Sequence, residues 1–170
     1  MTLSYRTAGP ADAPALAAMG RRCFVETFGP FFPADDMALH LEHKFGPDAL
    51  AGEYLDPALR IRMAEADGAV AAWLKLAPVD LPVPHAPEAL EVRQLYVLEA
   101  WQGAGVAAEL MDWAAETAQA AGAPALYLCV WEKGDRAIAF YRKQGFETVG
   151  HAPFRLGTGT YQDPVMRRAL

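Results

Sequence analysis

The sequence predicts an α/β protein of the α+β kind: one mixed, mainly antiparallel, twisted sheet of about seven strands flanked by helices. Three observations predict it. Segments of two-residue apolar period alternate with segments of helical period in the order β-α-α-β-β-β-α-β-α-β-β. Asp67-Gly68 separates two such strand-like runs, the signature of a tight hairpin. Ala125-Leu-Tyr-Leu-Cys-Val-Trp131 is a nearly continuous apolar run, as expected of a strand covered on both faces. At 170 residues the chain suits one domain, 1–170.

Taken in order, Leu3–Thr7 alternates and is followed by Gly9-Pro10, a strand and a turn. Asp12 is placed to cap a helix with Pro14 in its first turn, and Leu16, Met19, Cys23 and Val25 to Phe28 form its apolar stripe up to Gly29. Pro33-Ala-Asp-Asp36 opens a second helix through Phe45, and Pro47-Asp48 opens a third turn through Tyr54. Leu59–Glu65 and Ala69–Leu76 form the hairpin. Pro78 to Pro87, with four prolines, reads as an irregular loop. Leu90–Val97 is the next strand, and a loop through Trp101 leads to a helix from about Ala104 to Ala121, stopped by Gly122. After the apolar strand come a helix over Asp135–Gln144, ended by Gly145, and two closing strands, Phe146–His151 and Asp163–Arg168, around Gly157-Thr-Gly159.

Composition narrows the function. With 53% hydrophobic and 21% charged residues the chain folds rather than staying disordered. A net charge of -6 without a Lys/Arg cluster argues against nucleic acid as a partner. No apolar run approaches the length of a membrane span, and the N-terminus lacks the charged-then-apolar pattern of a secretory leader, so a cytoplasmic protein with no membrane partner is expected. Cys23 and Cys129 stand alone and are expected to be reduced. His40 and His43 are three apart on a predicted helix but have no third ligand, so no metal site is expected.

The segment with chemical content is Trp101-Gln-Gly-Ala-Gly-Val-Ala-Ala108. Two glycines at a strand-to-helix junction let the backbone approach a ligand closely, and the first N–H groups of the helix have no intrahelical acceptor. With the helix dipole, this makes a site for a phosphate or pyrophosphate. Plain turn chemistry explains the glycines equally well. Gly103-x-Gly105-x-x-Ala108 also satisfies the loose dinucleotide fingerprint, but that motif belongs after the first strand of a repeated βαβ array, and this chain shows only one βαβ unit.

Two longer patterns give a specific resemblance. Gln102-x-x-Gly105-x-Ala107 and, further on, Ala137-Ile-Ala-Phe-Tyr-Arg-Lys-Gln-Gly-Phe146 are similar, in the right order, to the pyrophosphate loop and the later helix of the GNAT superfamily of acyl-coenzyme A N-acyltransferases. The resemblance covers the chain from about Leu59 onward. Phe24–Gly29, Gln94–Val97, Val130-Trp131 and Asp163–Met166 further resemble a bacterial branch described as polyamine (spermidine/spermine-type) acetyltransferases.

The resemblance implies acetyl-CoA as donor, coenzyme A as product and a small-molecule amine as acceptor, attacking directly in a ternary complex. It implies cofactor contacts at Leu95, Tyr96 and Val97, whose backbone would pair with the pantetheine arm, and at Gln102, Gly103, Ala104, Gly105, Val106, Ala107 and Ala108 around the pyrophosphate. Arg136, Ala137, Phe140, Tyr141 and Lys143 follow on the later helix. Tyr141 matches the family tyrosine that donates a proton to the departing thiolate, a role suited to a phenol that stays protonated at neutral pH. The base is expected at Glu91, which alternation places on one face with Arg93 and Leu95; Glu26 is the runner-up, and Glu26, Phe28 and Trp73 are the acceptor-site candidates. One departure stands out: where the family places Asn four residues after the strand valine, this chain has Gly134, so that side-chain contact is missing and a non-catalytic acyl-CoA sensor is the competing reading. A homodimer through the C-terminal strands is open by family likeness, although no residue demands it.

Overall fold

The computed structural model of the chain describes residues 2–46, 49, 53 and 56–170. The expected turn over Pro47–Tyr54 lies, apart from 49 and 53, outside the described residues. Seven strands form one sheet: β1 (Leu3–Thr7), β2 (Arg60–Ala66), β3 (Ala69–Pro78), β4 (Leu90–Val97), β5 (Ala125–Cys129), β6 (Glu147–Leu156) and β7 (Gly159–Ala169). Their spatial order is β1-β2-β3-β4-β5-β7-β6. All neighbours are antiparallel except β4 and β5. Four α-helices flank the sheet, α1 (Ala13–Phe28), α2 (Ala34–Phe45), α3 (Val106–Ala120) and α4 (Asp135–Lys143).

Local chemistry explains the boundaries. Asp67 and Gly68 both take positive φ, +50° and +80°, the turn geometry that an Asp-Gly pair accommodates between twisted strands. Asp12 precedes α1 but does not cap it with its side chain; its carboxylate takes the Gly9 N–H and both Nη atoms of Arg6. α4 ends where Gly145 turns to φ +87°, with the Phe146 N–H donating to the Tyr141 carbonyl at 3.0 Å. The closing strands are longer than expected, because β6 and β7 pair from Glu147↔Arg167 to Leu156↔Gly159 with one irregularity, at Val149. Pro153 hides that pairing in the sequence, yet it lies on the edge strand, where a missing N–H costs no ladder bond.

The sheet separates two cores. On one face Leu74, Leu76, Val92, Leu126 and Leu128 pack on Val106, Leu110, Met111 and Ala114 of α3 and Ile138 of α4. On the other, Met63 and Trp73 meet Leu16, Met19 and Phe24 of α1 and Leu41 and Phe45 of α2. The polar residues of the second face set up the site.

Candidate active site

β4 and β5 run side by side for two pairs only, Leu90↔Leu126 and Glu91↔Tyr127. Beyond them β4 continues to Val97 and β5 to Cys129 without pairing, so the sheet opens as a wedge from a corner at Glu91. Unpaired strand backbone is a template for an extended ligand. Leu95, Tyr96 and Val97 form one wall of the wedge.

At its mouth the chain makes a short turn, Glu99–Trp101, and then the glycine loop. Gly103 and Gly105 take φ +84° and +85°, and a Cβ added at either would meet no atom within 4 Å. Gly105 caps α3 without a side-chain bond, and the first intrahelical N–H to find an acceptor across the cap is Glu109, at 3.1 Å from the Gly105 carbonyl. The N–H groups of Val106, Ala107 and Ala108 therefore have no acceptor in the helix and face the loop. Such a cradle fits a pyrophosphate without a basic residue inside it. Gln102 ties the loop down. Its Nε2 donates to the Val97 carbonyl at 3.2 Å, and its Oε1 accepts from Arg136 of α4 at 2.8 Å. The Cys23 thiol of α1 donates to the same Val97 carbonyl at 3.1 Å.

α4 borders the wedge from the α3 side. Ala137, Phe140 and Tyr141 pack against the core that Leu95, Val97 and Trp101 also border. Tyr141 lies edge-on to Phe140 and Phe146, with centroids 5.3 and 6.0 Å away, and burial pushes its phenol up to about 12. It therefore holds its proton throughout the neutral range. Gly134 caps α4; a Cβ there would stand 3.1 Å from the Trp131 carbonyl, so the backbone is already tight where the family asparagine would sit. Glu132 does not replace it, because its carboxylate accepts the Gln162 N–H at 3.0 Å. Lys143 is exposed on α4, away from any recorded partner among the described residues.

The face of Glu91 requires a correction. Lys75 pairs with Gln94 while the next residue, Leu76, pairs with Val92, so Arg93 is the extra residue of a β-bulge. The bulge reverses the alternation. Leu90, Val92, Leu95 and Val97 all border the α3 core, and Tyr96 borders the α1–α2 core. Glu91 thus lies on the face of Tyr96 and not with Leu95. It is buried, and its Oε2 accepts from the Asp80 N–H at 2.9 Å and from Arg93 at 3.4 Å, while Oε1 has no partner among the described residues.

The acceptor-side candidates divide. Phe28 stands at the cleft, its ring centroid 5.1 Å from that of Trp131, and Phe31 joins them at 4.9 Å from Trp131. Glu26 is held by Arg22 one helical turn before it, at 2.7 Å. Trp73 is fully enclosed, at 0% exposure, and supports the Tyr96 ring at 5.0 Å, so it is a core residue that no substrate reaches in this conformation. Cys23 is buried, which pushes its thiol up to about 11; Cys129 is exposed as a residue, but desolvation of its sulfur and the nearby Asp163 push it up to about 12, so neither is a ready nucleophile.

The described residues hold no cluster of three His, Cys, Asp or Glu suited to a metal, and no helix among them is long and apolar enough to cross a membrane. The family model described as "Acetyltransferase (GNAT) family" matches residues 21–146. An uncharacterized N-acetyltransferase from Lactobacillus delbrueckii subsp. lactis is 31% identical over 160 residues, 94% of this chain and 92% of that protein. The aminoalkylphosphonate N-acetyltransferase of Salmonella typhimurium is 30% identical over 107 residues, 63% of this chain and 69% of its own. Among solved structures, the PaiA N-acetyltransferase of Thermoplasma acidophilum, in complex with coenzyme A, superposes with a TM-score of 0.83 at 17% identity over the whole of both chains. With a family match across most of its length and a sheet of the same fold, this chain belongs to the GNAT acetyltransferase family and is an acetyl-CoA-dependent N-acyltransferase.

Proposed function

We propose that the chain, acting as one cytoplasmic domain, transfers an acetyl group to the primary amine of a small molecule by direct attack in a ternary complex. The observation that carries this reading is the wedge itself: free amides at its mouth, a protonated phenol on one side, a buried carboxylate at its corner. Bound acetyl-CoA supplies a thioester, which is the activated acyl group. Val106, Ala107 and Ala108 hold its pyrophosphate with Gly103 and Gly105 giving access, and Arg136 is poised by Gln102 beside them. Leu95, Tyr96 and Val97 offer backbone groups to its extended arm, and one N–H there polarises the acyl carbonyl. Glu91 accepts the proton that an alkylammonium must lose before it attacks, through the oxygen left without a protein partner. Tyr141 delivers a proton to the departing sulfur.

Both protonated thiols support direct attack over a cysteine-bound intermediate. Polyamines, to which the sequence likeness points, and aminoalkylphosphonates, the substrates in the name of the Salmonella relative, both present the amine this reading requires. The test is thiol release from acetyl-CoA across a panel of amines. Turnover with at least one amine supports the reading; melting-temperature stabilisation by acetyl-CoA with background thiol release throughout supports the sensor and overturns it.

A further inference from the structure

The α1–α2 face of the sheet carries buried charge. Lys75 and Glu91 are buried there, and Glu53, Arg93 and Lys44 lie beside them. Lys75 Nζ is 2.7 Å from Glu53, and Glu91 takes Arg93 and the Asp80 N–H. Asp163 takes the Glu132 N–H at 3.0 Å, Glu132 takes the Gln162 N–H, and Glu26 takes Arg22. Arginines reach Glu91 and Glu26, while Asp163 and Glu132 are held by backbone N–H groups alone among the described residues. Of the cations set over the acceptor-side rings, Lys133 above Tyr161 is exposed and Lys44 is the more enclosed. It is half-buried on α2 with Nζ 5.3 Å from the centre of the Phe24 ring and 5.9 Å from that of Phe45, and no carboxylate lies within 4 Å of it among the described residues.

Its position is close to the chemistry. Phe45 contacts Tyr96 of the wedge wall at 5.7 Å, and Phe24 packs tilted against Phe28 at 4.4 Å, which in turn meets Trp131. One helical turn earlier, His40 stacks on Phe24 at 4.8 Å, and its Nε2 is buried without a hydrogen-bond partner. Two nitrogens on one turn of α2, one cationic and one unsatisfied, therefore face the same aromatic wall. A second ammonium, as in a polyamine, meets Lys44 here. An anionic group finds a charge that no carboxylate of the described residues meets.

Resting on the acetyl-transfer reading, we infer that the acceptor is an amine that also carries an anionic group, a carboxylate or phosphonate, and that Lys44 is the residue that selects it. Burial and the neighbouring Lys75 hold Lys44 down to about 8, a cost that a bound anion relieves. His40, His43, Lys75 and Glu53 are the other titratable groups around it.

The experiment compares kcat/KM, by thiol release from acetyl-CoA, for β-alanine, its uncharged amide, 2-aminoethylphosphonate and spermidine. One of the two anionic amines should exceed the amide and spermidine by roughly 10- to 100-fold, the range that a hydrogen bond to a charged group supplies. Which of the two is preferred distinguishes carboxylate from phosphonate. Lys44→Met should collapse that preference through KM, and Lys44→Arg should retain most of it. Equal or better use of the amide or spermidine by the unmutated protein overturns the inference without any variant, as does a preference unaltered in Lys44→Met. Thiol release with none of the four while another amine of the panel turns over overturns the inference alone; background release across the whole panel, despite stabilisation by acetyl-CoA, overturns acetyl transfer itself, and the inference falls with it.

Discussion

Gly105→Ala separates the conformational role of a glycine from its role in binding. At φ +85° an alanine pays the left-handed penalty of about 1–2 kcal/mol, and because no atom lies within 4 Å of the new methyl there is no steric addition. For a chain of this size each kcal/mol lowers Tm by roughly 2–4 °C, so the free protein should melt about 2–8 °C lower. Gly122 is the matched control: it lies just past the other end of α3, at φ +78°, with equally open surroundings. Gly122→Ala should cost a similar amount. The two should part company with ligand. At roughly a hundredfold excess over Kd, coenzyme A stabilises by about 2.7 kcal/mol, or roughly 5–11 °C, in the unmutated protein and in Gly122→Ala. In Gly105→Ala the methyl projects from the open side of the amide cradle, and that ligand-induced shift should be largely lost. Thermal melts of the three proteins with and without coenzyme A decide the matter. If Gly105→Ala keeps the full shift, the pyrophosphate does not lie against these amides and the site assignment is refuted.

Tyr141→Phe removes the proton donor while keeping the ring that packs on Phe140 and Phe146; kcat should fall by about 10²–10⁴ with the coenzyme-induced Tm shift intact, and an unchanged rate would exclude the tyrosine as acid. Trp73→Ala should destabilise by about 3–5 kcal/mol in urea unfolding, since its side chain is wholly enclosed and carries the Tyr96 ring; a loss under 1 kcal/mol would contradict that packing. Asp12 is held near 2 by its hydrogen bonds to Arg6, below its ordinary value near 4. Its contribution is complete above pH 4 and is lost as pH falls through about 2, so Asp12→Asn should lower Tm at pH 7 and flatten the decline between pH 4 and 2. A parallel pH profile for both proteins would rule out that linkage.

Most of the fold was legible because its signals are local. Asp67-Gly68 specifies a turn through two positive φ angles, Gly122 and Gly145 mark helix ends, and the 3.6-residue stripe of α1 survives to Phe28. The glycine loop was legible for the same reason, since free amides follow from where a helix begins. The bulge at Arg93 was not. Val92 and Leu95 are both apolar and inward-facing, so strict alternation sends Glu91 to the wrong side, and nothing in Val-Arg-Gln distinguishes an extra residue from a paired one. Trp73 misled for a related reason: an aromatic in a strand reads alike whether it faces a cleft or a core. Lys44 was missed altogether, because its isolation among rings becomes visible only when α1, α2 and β3 are brought together.

The corner at which β4 and β5 part has a mechanical consequence. It divides the sheet into two blades, β1 to β4 and β5, β7 and β6, joined there by two residue pairs. Val97 lies six positions beyond Glu91, roughly 20 Å at the usual strand rise, so a 5° rotation of the blades would move that tip by nearly 2 Å. Glu91 sits at the hinge and would scarcely shift. Jaws that widen to admit a long, branched donor can therefore do so while the carboxylate at their root stays registered with the residues that orient it.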